Sequence, residues 1–148
     1  MFGLRRFAVI ALVCSGCPGP SPDDDLLCSP QGSPAVSLTS GLQSEVFDAD
    51  CRTCHNARDP GSGDFSTAEK TRESTVGRKS QFAGGGTLKI IDPKNLGNSI
   101  LWLKVLGGDA AGKKGPAGEK VYGMMPLGST LTPAKKASLK NWICSGAP

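Results

Sequence analysis

The stretch 40–55 reads SGLQSEVFDADCRTCH and ends in the motif Cys51-Arg-Thr-Cys54-His55. Ser40 and Gln43 fit the capping-box pattern that opens a helix. Three apolar residues then recur with helical spacing and form one stripe: Leu42, Val46 and Phe47. The sequence therefore predicts a helix of about ten residues that presents Cys51 at its C-terminal end.

The C-x-x-C-H motif is the attachment sequence for a c-type haem. Thiols at this spacing reach the two vinyl groups of one porphyrin edge, and the adjacent His55 binds the iron. A zinc site would need four ligands, and His55 is the only histidine, so Cys28 and Cys144 would have to complete it. A thioredoxin-like pair would need a βαβ context, and a structural disulfide would not require His55. We expect one covalent haem c held by Cys51, Cys54 and His55.

A methionine loop offers a second axial ligand for a low-spin iron. Apart from Met1, the methionines of the chain are Met124 and Met125, in the loop Gly123–Gly128 (GMMPLG). Methionine also fills gaps in protein cores, and the spacing does not choose between the two residues. Either one could supply the sulfur.

Both ends of stretch 40–148 resemble class I c-type cytochromes. Gly41 lies ten residues and Phe47 four residues before the C-x-x-C-H motif, as in the first helix of that family. The ending LTPAKKASLKNWICSGAP (131–148) is similar to the closing helix of small periplasmic cytochrome c domains, many of them lipoproteins. In this ending Thr132 is the expected N-cap and Pro133 the first helical residue.

The resemblance implies an all-α, cytochrome c-like fold with short helices around one haem. It assigns the axial sulfur to Met125, the methionine directly before proline, and makes Met124 a wall of the pocket. It gives Gly41 the task of letting the first and last helices cross closely. It also suggests that the Pro93 carbonyl accepts a hydrogen bond from His55, which would tune the imidazole.

Two further helices are expected in the middle of the chain. A capping box at Ser66–Glu69 opens one that runs to about Val76. Asn98 caps a nearly apolar helix over 99–106, which we expect to be buried.

The N-terminus has the features of a secretory signal. Arg5 and Arg6 precede the apolar run Phe7–Val13, which is far too short to span a bilayer. The small residues before Cys17 resemble a bacterial lipoprotein signal, with a plain signal peptide as the alternative. We expect a signal at 1–16, a lipid anchor on Cys17 with a Pro-rich tether to residue 39, and a haem domain at 40–148.

The remaining cysteines and the charges say more about location and partners. Cys28 and Cys144 are left over as one pair, so a disulfide is expected in an oxidising compartment, with two unpaired thiols as the alternative. The formal charge is +4, with scattered basic residues, and gives no footprint for nucleic acid. Three lysines before the methionine loop either belong to an ordinary solvated loop or form a basic rim for an acidic redox protein: Lys113, Lys114 and Lys120.

The expected function is one-electron transfer with His55 and Met125 as axial ligands, without substrate turnover, on the periplasmic side of a bacterial membrane. The lipid would anchor the protein there; without it, the protein would be secreted to the periplasm. One alternative is a haem protein whose sixth site opens and gives peroxidase-like or ligand-sensing activity. Another is a surface lipoprotein whose C-x-x-C-H motif is incidental.

Overall fold

The structure is a computed structural model that describes residues 24–29, 32, 34–58, 63–81, 88–106 and 123–148. The predicted signal, Cys17 and the three rim lysines fall outside these residues. Four helices are described: α1 (Leu38–Cys51), α2 (Ala68–Thr75), α3 (Ile100–Val105) and α4 (Pro133–Cys144). Two short 3-10 turns cover Asp24–Leu26 and Leu96–Asn98.

The described part of the chain is helical and contains no sheet, which agrees with the all-α prediction. Its extended pieces form only isolated bridges, such as Val76 with Ile91 and Lys89 with Ser99. These bridges join the segment 88–91 to the end of α2 and the start of α3. No helix in the described ranges combines the length and the apolar character needed to cross a bilayer.

Helix α1 carries the predicted apolar stripe but not the predicted cap. Leu42, Val46 and Phe47 are all buried. Ser40 lies inside the element at a kink, with its hydroxyl donating to the Ser37 carbonyl, and the side chain of Gln43 points to other partners. The capping box at Ser40 was therefore wrong, because tertiary contacts claim the Gln43 amide.

Gly41 serves the kink rather than the helix crossing. Its φ of +143° lies in a region that side-chain-bearing residues rarely adopt. A Cβ at this position would approach only the Glu45 side chain, at 3.5 Å, and would approach no atom of α4. Gly41 thus permits the kink in α1 and does not provide the close crossing of the first and last helices that the resemblance implies.

The caps of the next two helices lie one residue from their predicted places. Thr67, and not Ser66, caps α2 by accepting a hydrogen bond from Lys70 N. Ser99 occupies the N-cap position of α3, and Asn98 belongs to the preceding 3-10 turn. The buried character of α3 was predicted correctly, because five of its six residues are buried.

Helix α4 forms as predicted and packs against α1. Thr132 accepts a hydrogen bond from Lys135 N, and Pro133 is the first helical residue. The Trp142 ring meets the Phe47 ring edge-on, with centroids 5.8 Å apart. Lys135 Nζ lies 2.7 Å from a carboxylate oxygen of Asp50. An aromatic contact and an ion pair thus join the first and last long helices.

The segment before α1 also belongs to the domain. Cys28 and Cys144 form a disulfide, and Trp102 Nε1 donates to the Asp25 carbonyl at 2.6 Å. Leu26 and Val36 pack against the core. Residues between 25 and 36 therefore contact the predicted haem domain, and the boundary at residue 40 stays a prediction.

Candidate functional site

A largely apolar cleft opens between the end of α1, helix α3 and the methionine loop. The space between its walls is about 800 Å³, and part of that space is open to solvent. Its lining combines aliphatic walls with a few chemically active groups. The lining residues are Asp50, Cys51, His55, Ser80, Ile90, Ile100, Leu101, Lys104, Val105, Met125 and Pro126.

His55 is placed by the turn that follows α1 and by Phe65. The backbone N–H groups of Cys54 and His55 both donate to the Cys51 carbonyl, at 3.2 and 2.9 Å. The His55 carbonyl accepts from Phe65 N at 3.1 Å, and the two rings meet edge-on with centroids 5.5 Å apart. The imidazole is thereby oriented at the cleft wall, with its Nδ1 buried.

The two motif cysteines have different surroundings. Cys51 is partly buried and lines the cleft, whereas Cys54 is exposed and does not, and neither forms a disulfide. Burial, reinforced by the nearby Asp50 carboxylate and opposed by Lys135, raises the pKa of Cys51 to about 12. At neutral pH this thiol is protonated and weakly nucleophilic in the folded chain.

The structure distinguishes the two methionines. Met125 lines the cleft, and its backbone N–H donates to the Lys104 carbonyl of α3 at 3.1 Å. Met124 is partly buried but is not part of the lining. The geometry thus brings Met125, and not Met124, into one cleft with His55.

Pro93 lies in a turn and is not among the residues that line the cleft. Within the described ranges, His55 Nδ1 makes no hydrogen bond to the Pro93 carbonyl. The segment around it is held instead by Lys94 N, which donates to the Ile143 carbonyl of α4 at 2.8 Å. The role suggested for Pro93 stays a prediction.

Two charged lining residues, Asp50 and Lys104, were not singled out in the sequence. Burial lowers the pKa of the Lys104 ammonium. Lys104 is the one charged residue in the apolar run SILWLKVL (99–106), and that isolation is the signal that could have found it. Asp50 was detectable only as a neighbour of Cys51.

The competing chemistries gain no support from the geometry. Among the described residues, no three His, Cys, Asp or Glu side chains cluster as a metal site. Cys28 and Cys144 are consumed by their disulfide, so they cannot supply the missing zinc ligands. No βαβ unit surrounds the C-x-x-C pair in the described chain. A thiol, an imidazole and a thioether on one apolar cleft do fit a covalently attached haem.

No protein-family model matches this chain, and comparison with curated proteins and with solved structures yields no match either.

Proposed function

We propose that this chain is a one-electron carrier with a single covalently attached c-type haem in a cytochrome c-like domain. The observation that supports this most directly is the convergence of Cys51, His55 and Met125 on one apolar cleft. Cys51 and Met125 lie 74 positions apart; the C-x-x-C-H motif had singled out Cys51 and His55, and the resemblance to class I cytochromes had singled out Met125.

The roles of the site residues follow from their chemistry. Cys51 and Cys54 would bind the porphyrin edge through thioethers, and this covalent link retains the group outside the cell's interior. His55 would supply the proximal nitrogen and Met125 the opposite sulfur. When bound, the haem provides an Fe(III)/Fe(II) couple, and a methionine ligand raises its reduction potential.

The rest of the cleft would limit what the iron can do. The aliphatic side chains of Ile90, Ile100 and Val105 would surround the haem with apolar groups, and an apolar environment would raise the potential further. If His55 and Met125 both held the iron, no position on it would be left for a substrate. We therefore assign electron transfer rather than enzymatic turnover, with redox proteins as partners and a lipid on Cys17 as the attachment to the periplasmic face of a bacterial membrane.

The first test is haem stoichiometry. The full chain is expressed in a host with a cytochrome c maturation system and assayed by pyridine haemochrome spectrum and intact mass. We expect one covalent haem in the wild type and none in the Cys51→Ala/Cys54→Ala variant. The matched control Cys28→Ala/Cys144→Ala also removes two cysteines and should retain the haem.

The second test is redox function. A spectroelectrochemical titration of the haem-loaded protein should show a reversible one-electron transition. A protein that matures without haem, or loses it on denaturation, would contradict covalent attachment. A ferric spectrum without the long-wavelength band of sulfur ligation would favour a haem protein with an open sixth site.

A further inference from the structure

The segment that carries the predicted lipid anchor is fastened to one end of helix α4. Cys28 is disulfide-bonded to Cys144 in the last turn of that helix. The Asp25 carbonyl accepts from Trp102 Nε1, and the Asp25 carboxylate lies 3.9 Å from Lys140 Nζ. A covalent bond, a hydrogen bond and an ion pair therefore hold residues 25–28 on the domain.

The cleft lies at the other end of α4. Lys135, near the first turn of α4, pairs with Asp50 of the cleft lining. Lys135 and Cys144 are nine residues apart in the helix, which corresponds to about 13 Å along its axis. The fastening point and the cleft edge are thus separated by most of the length of this helix.

Helix α3 also separates the cleft from the fastened segment, because the two lie on different faces of this helix. Ile100, Leu101, Lys104 and Val105 line the cleft, whereas Trp102 does not. At 100° per residue, Trp102 projects from a different face of the helix. On this second face Trp102 Nε1 donates its hydrogen bond to the Asp25 carbonyl.

We infer that the Cys28–Cys144 disulfide orients the anchored domain so that its cleft faces away from the membrane, toward soluble redox proteins. This inference rests on the proposed function and on lipidation of Cys17. Six residues lie between Cys17 and Asp24, and these seven peptide steps reach at most about 25 Å when fully extended. A domain of this size is roughly 35 Å across. Because the connection is shorter than this diameter, the fastened end of the domain cannot turn away from the bilayer.

The disulfide keeps the free connection between Cys17 and the domain short, because it fixes the chain at Cys28. Without it the segment is held only by the hydrogen bond and the ion pair of Asp25 and by the packing of Leu26 and Val36. When these weaker contacts open, the first fully buried residue is Leu38, and the 21 peptide steps from Cys17 to Leu38 can extend to about 75 Å. That length exceeds the diameter of the domain, so the orientation would be lost.

Lysine acetylation on vesicles tests the orientation. The lipidated, haem-loaded protein is reconstituted on phosphatidylcholine vesicles and labelled, with the detergent-dissolved protein as reference. Two lysines report on the fastened end: Lys140, and Lys94, whose side chain lies against Gly146. Lys79, next to Ser80 of the lining, reports on the cleft, and Lys70 on α2.

We expect a several-fold loss of labelling at Lys94 and Lys140 on vesicles and no loss at Lys79 and Lys70. A variant with a Gly/Ser insertion of about twenty residues after Pro20 leaves the domain untouched, and its protection should disappear while it stays on the vesicles. The Cys28→Ser/Cys144→Ser variant should lose the protection in the same way.

The inference would be overturned by protection of Lys79, by equal labelling of all four lysines in the wild type, or by failure of the protein to join vesicles. Persistent protection in the insertion variant would also overturn it. Haem content is measured on the same sample, so an absent haem with intact protection would contradict the proposed electron transfer and not the orientation.

Discussion

Met124 and Met125 are the same residue type at adjacent positions, yet only Met125 lines the cleft. The difference arises from one backbone contact, the hydrogen bond from Met125 N to the Lys104 carbonyl. That bond fastens the loop to α3 at the methionine that lines the cleft together with His55. The assignment of the axial sulfur therefore depends on a contact between residues 21 positions apart.

Substitution of the two methionines tests this assignment. In the haem-loaded protein, Met125→Ala should abolish the long-wavelength ferric band and lower the reduction potential, because a thioether favours ferrous iron. Met124→Ala should leave both close to the wild type. The assignment fails if the two variants exchange these phenotypes in absorption spectra and redox titrations.

At the scale of elements, Gln43 of α1 connects the helix to Phe65 and α2. Its amide nitrogen donates to the Phe65 carbonyl at 2.9 Å, and its oxygen accepts from the hydroxyl of Thr71 at 2.9 Å. Phe65 in turn stacks on Phe47 and meets the His55 ring. The orientation of the imidazole thus depends on how α1 and α2 hold Phe65.

Gln43→Leu should lower the free energy of unfolding by about 1–3 kcal/mol, because it leaves the buried Thr71 hydroxyl and the Phe65 carbonyl without this partner. The matched control is Gln81→Leu at an exposed position, which should change stability by less than about 0.5 kcal/mol. Denaturant titration of both haem-loaded variants measures the difference. Equal stabilities would show that the amide makes no net contribution.

The turn that leads into α3 depends on the Asp92 carboxylate. Burial by itself would raise the pKa of Asp92, but hydrogen bonds from Asn98 and Lys89 outweigh it, and the pKa lies below its ordinary value. A carboxyl whose pKa is lower in the folded state stabilises the fold above its unfolded pKa. That contribution disappears as the pH falls through the folded value.

The unfolding free energy should therefore fall as the pH drops below about 4, the ordinary range of an aspartate. Asp92→Asn should be less stable at neutral pH and should show a weaker fall in acid. Chemical unfolding at a series of pH values checks this. An unchanged acid slope in the variant would rule out Asp92 as a contributor.

At the scale of the whole molecule, the disulfide closes a loop with a sequence separation of 116 residues and includes nearly the entire domain. A cross-link of this span removes much of the conformational freedom of the unfolded chain. It also keeps the N-terminal segment against Trp102 and the end of α4. The bond thus joins the stability of the domain to the position of the segment that follows the predicted anchor.

Cys28→Ala/Cys144→Ala should lower the free energy of unfolding by about 4–5 kcal/mol on the chain-entropy account. The measurement compares denaturant unfolding of this variant with that of the wild type, both loaded with haem. Addition of a reductant to the wild type should approach the same value. A loss below about 1 kcal/mol would show that the unfolded chain gains little freedom when the bond is absent.

The sequence alone determined the C-x-x-C-H motif, the apolar stripe of α1 and the cap and first proline of α4. Each of these is a local property, because helical periodicity and capping involve residues a few positions apart. The leftover cysteines also predicted their own pairing by simple counting. The predicted cap of α1 was wrong because the Gln43 side chain binds partners far away in the chain, and a local pattern does not show such contacts.

Only the tertiary structure decided which methionine lines the cleft, that Lys104 and Asp50 line it as well, and that residues 25–28 are fastened to the domain. These features depend on contacts across tens of residues, as between Met125 and Lys104 or Asp25 and Trp102. Such contacts form when helices pack, and packing selects among side chains that look equivalent along the chain.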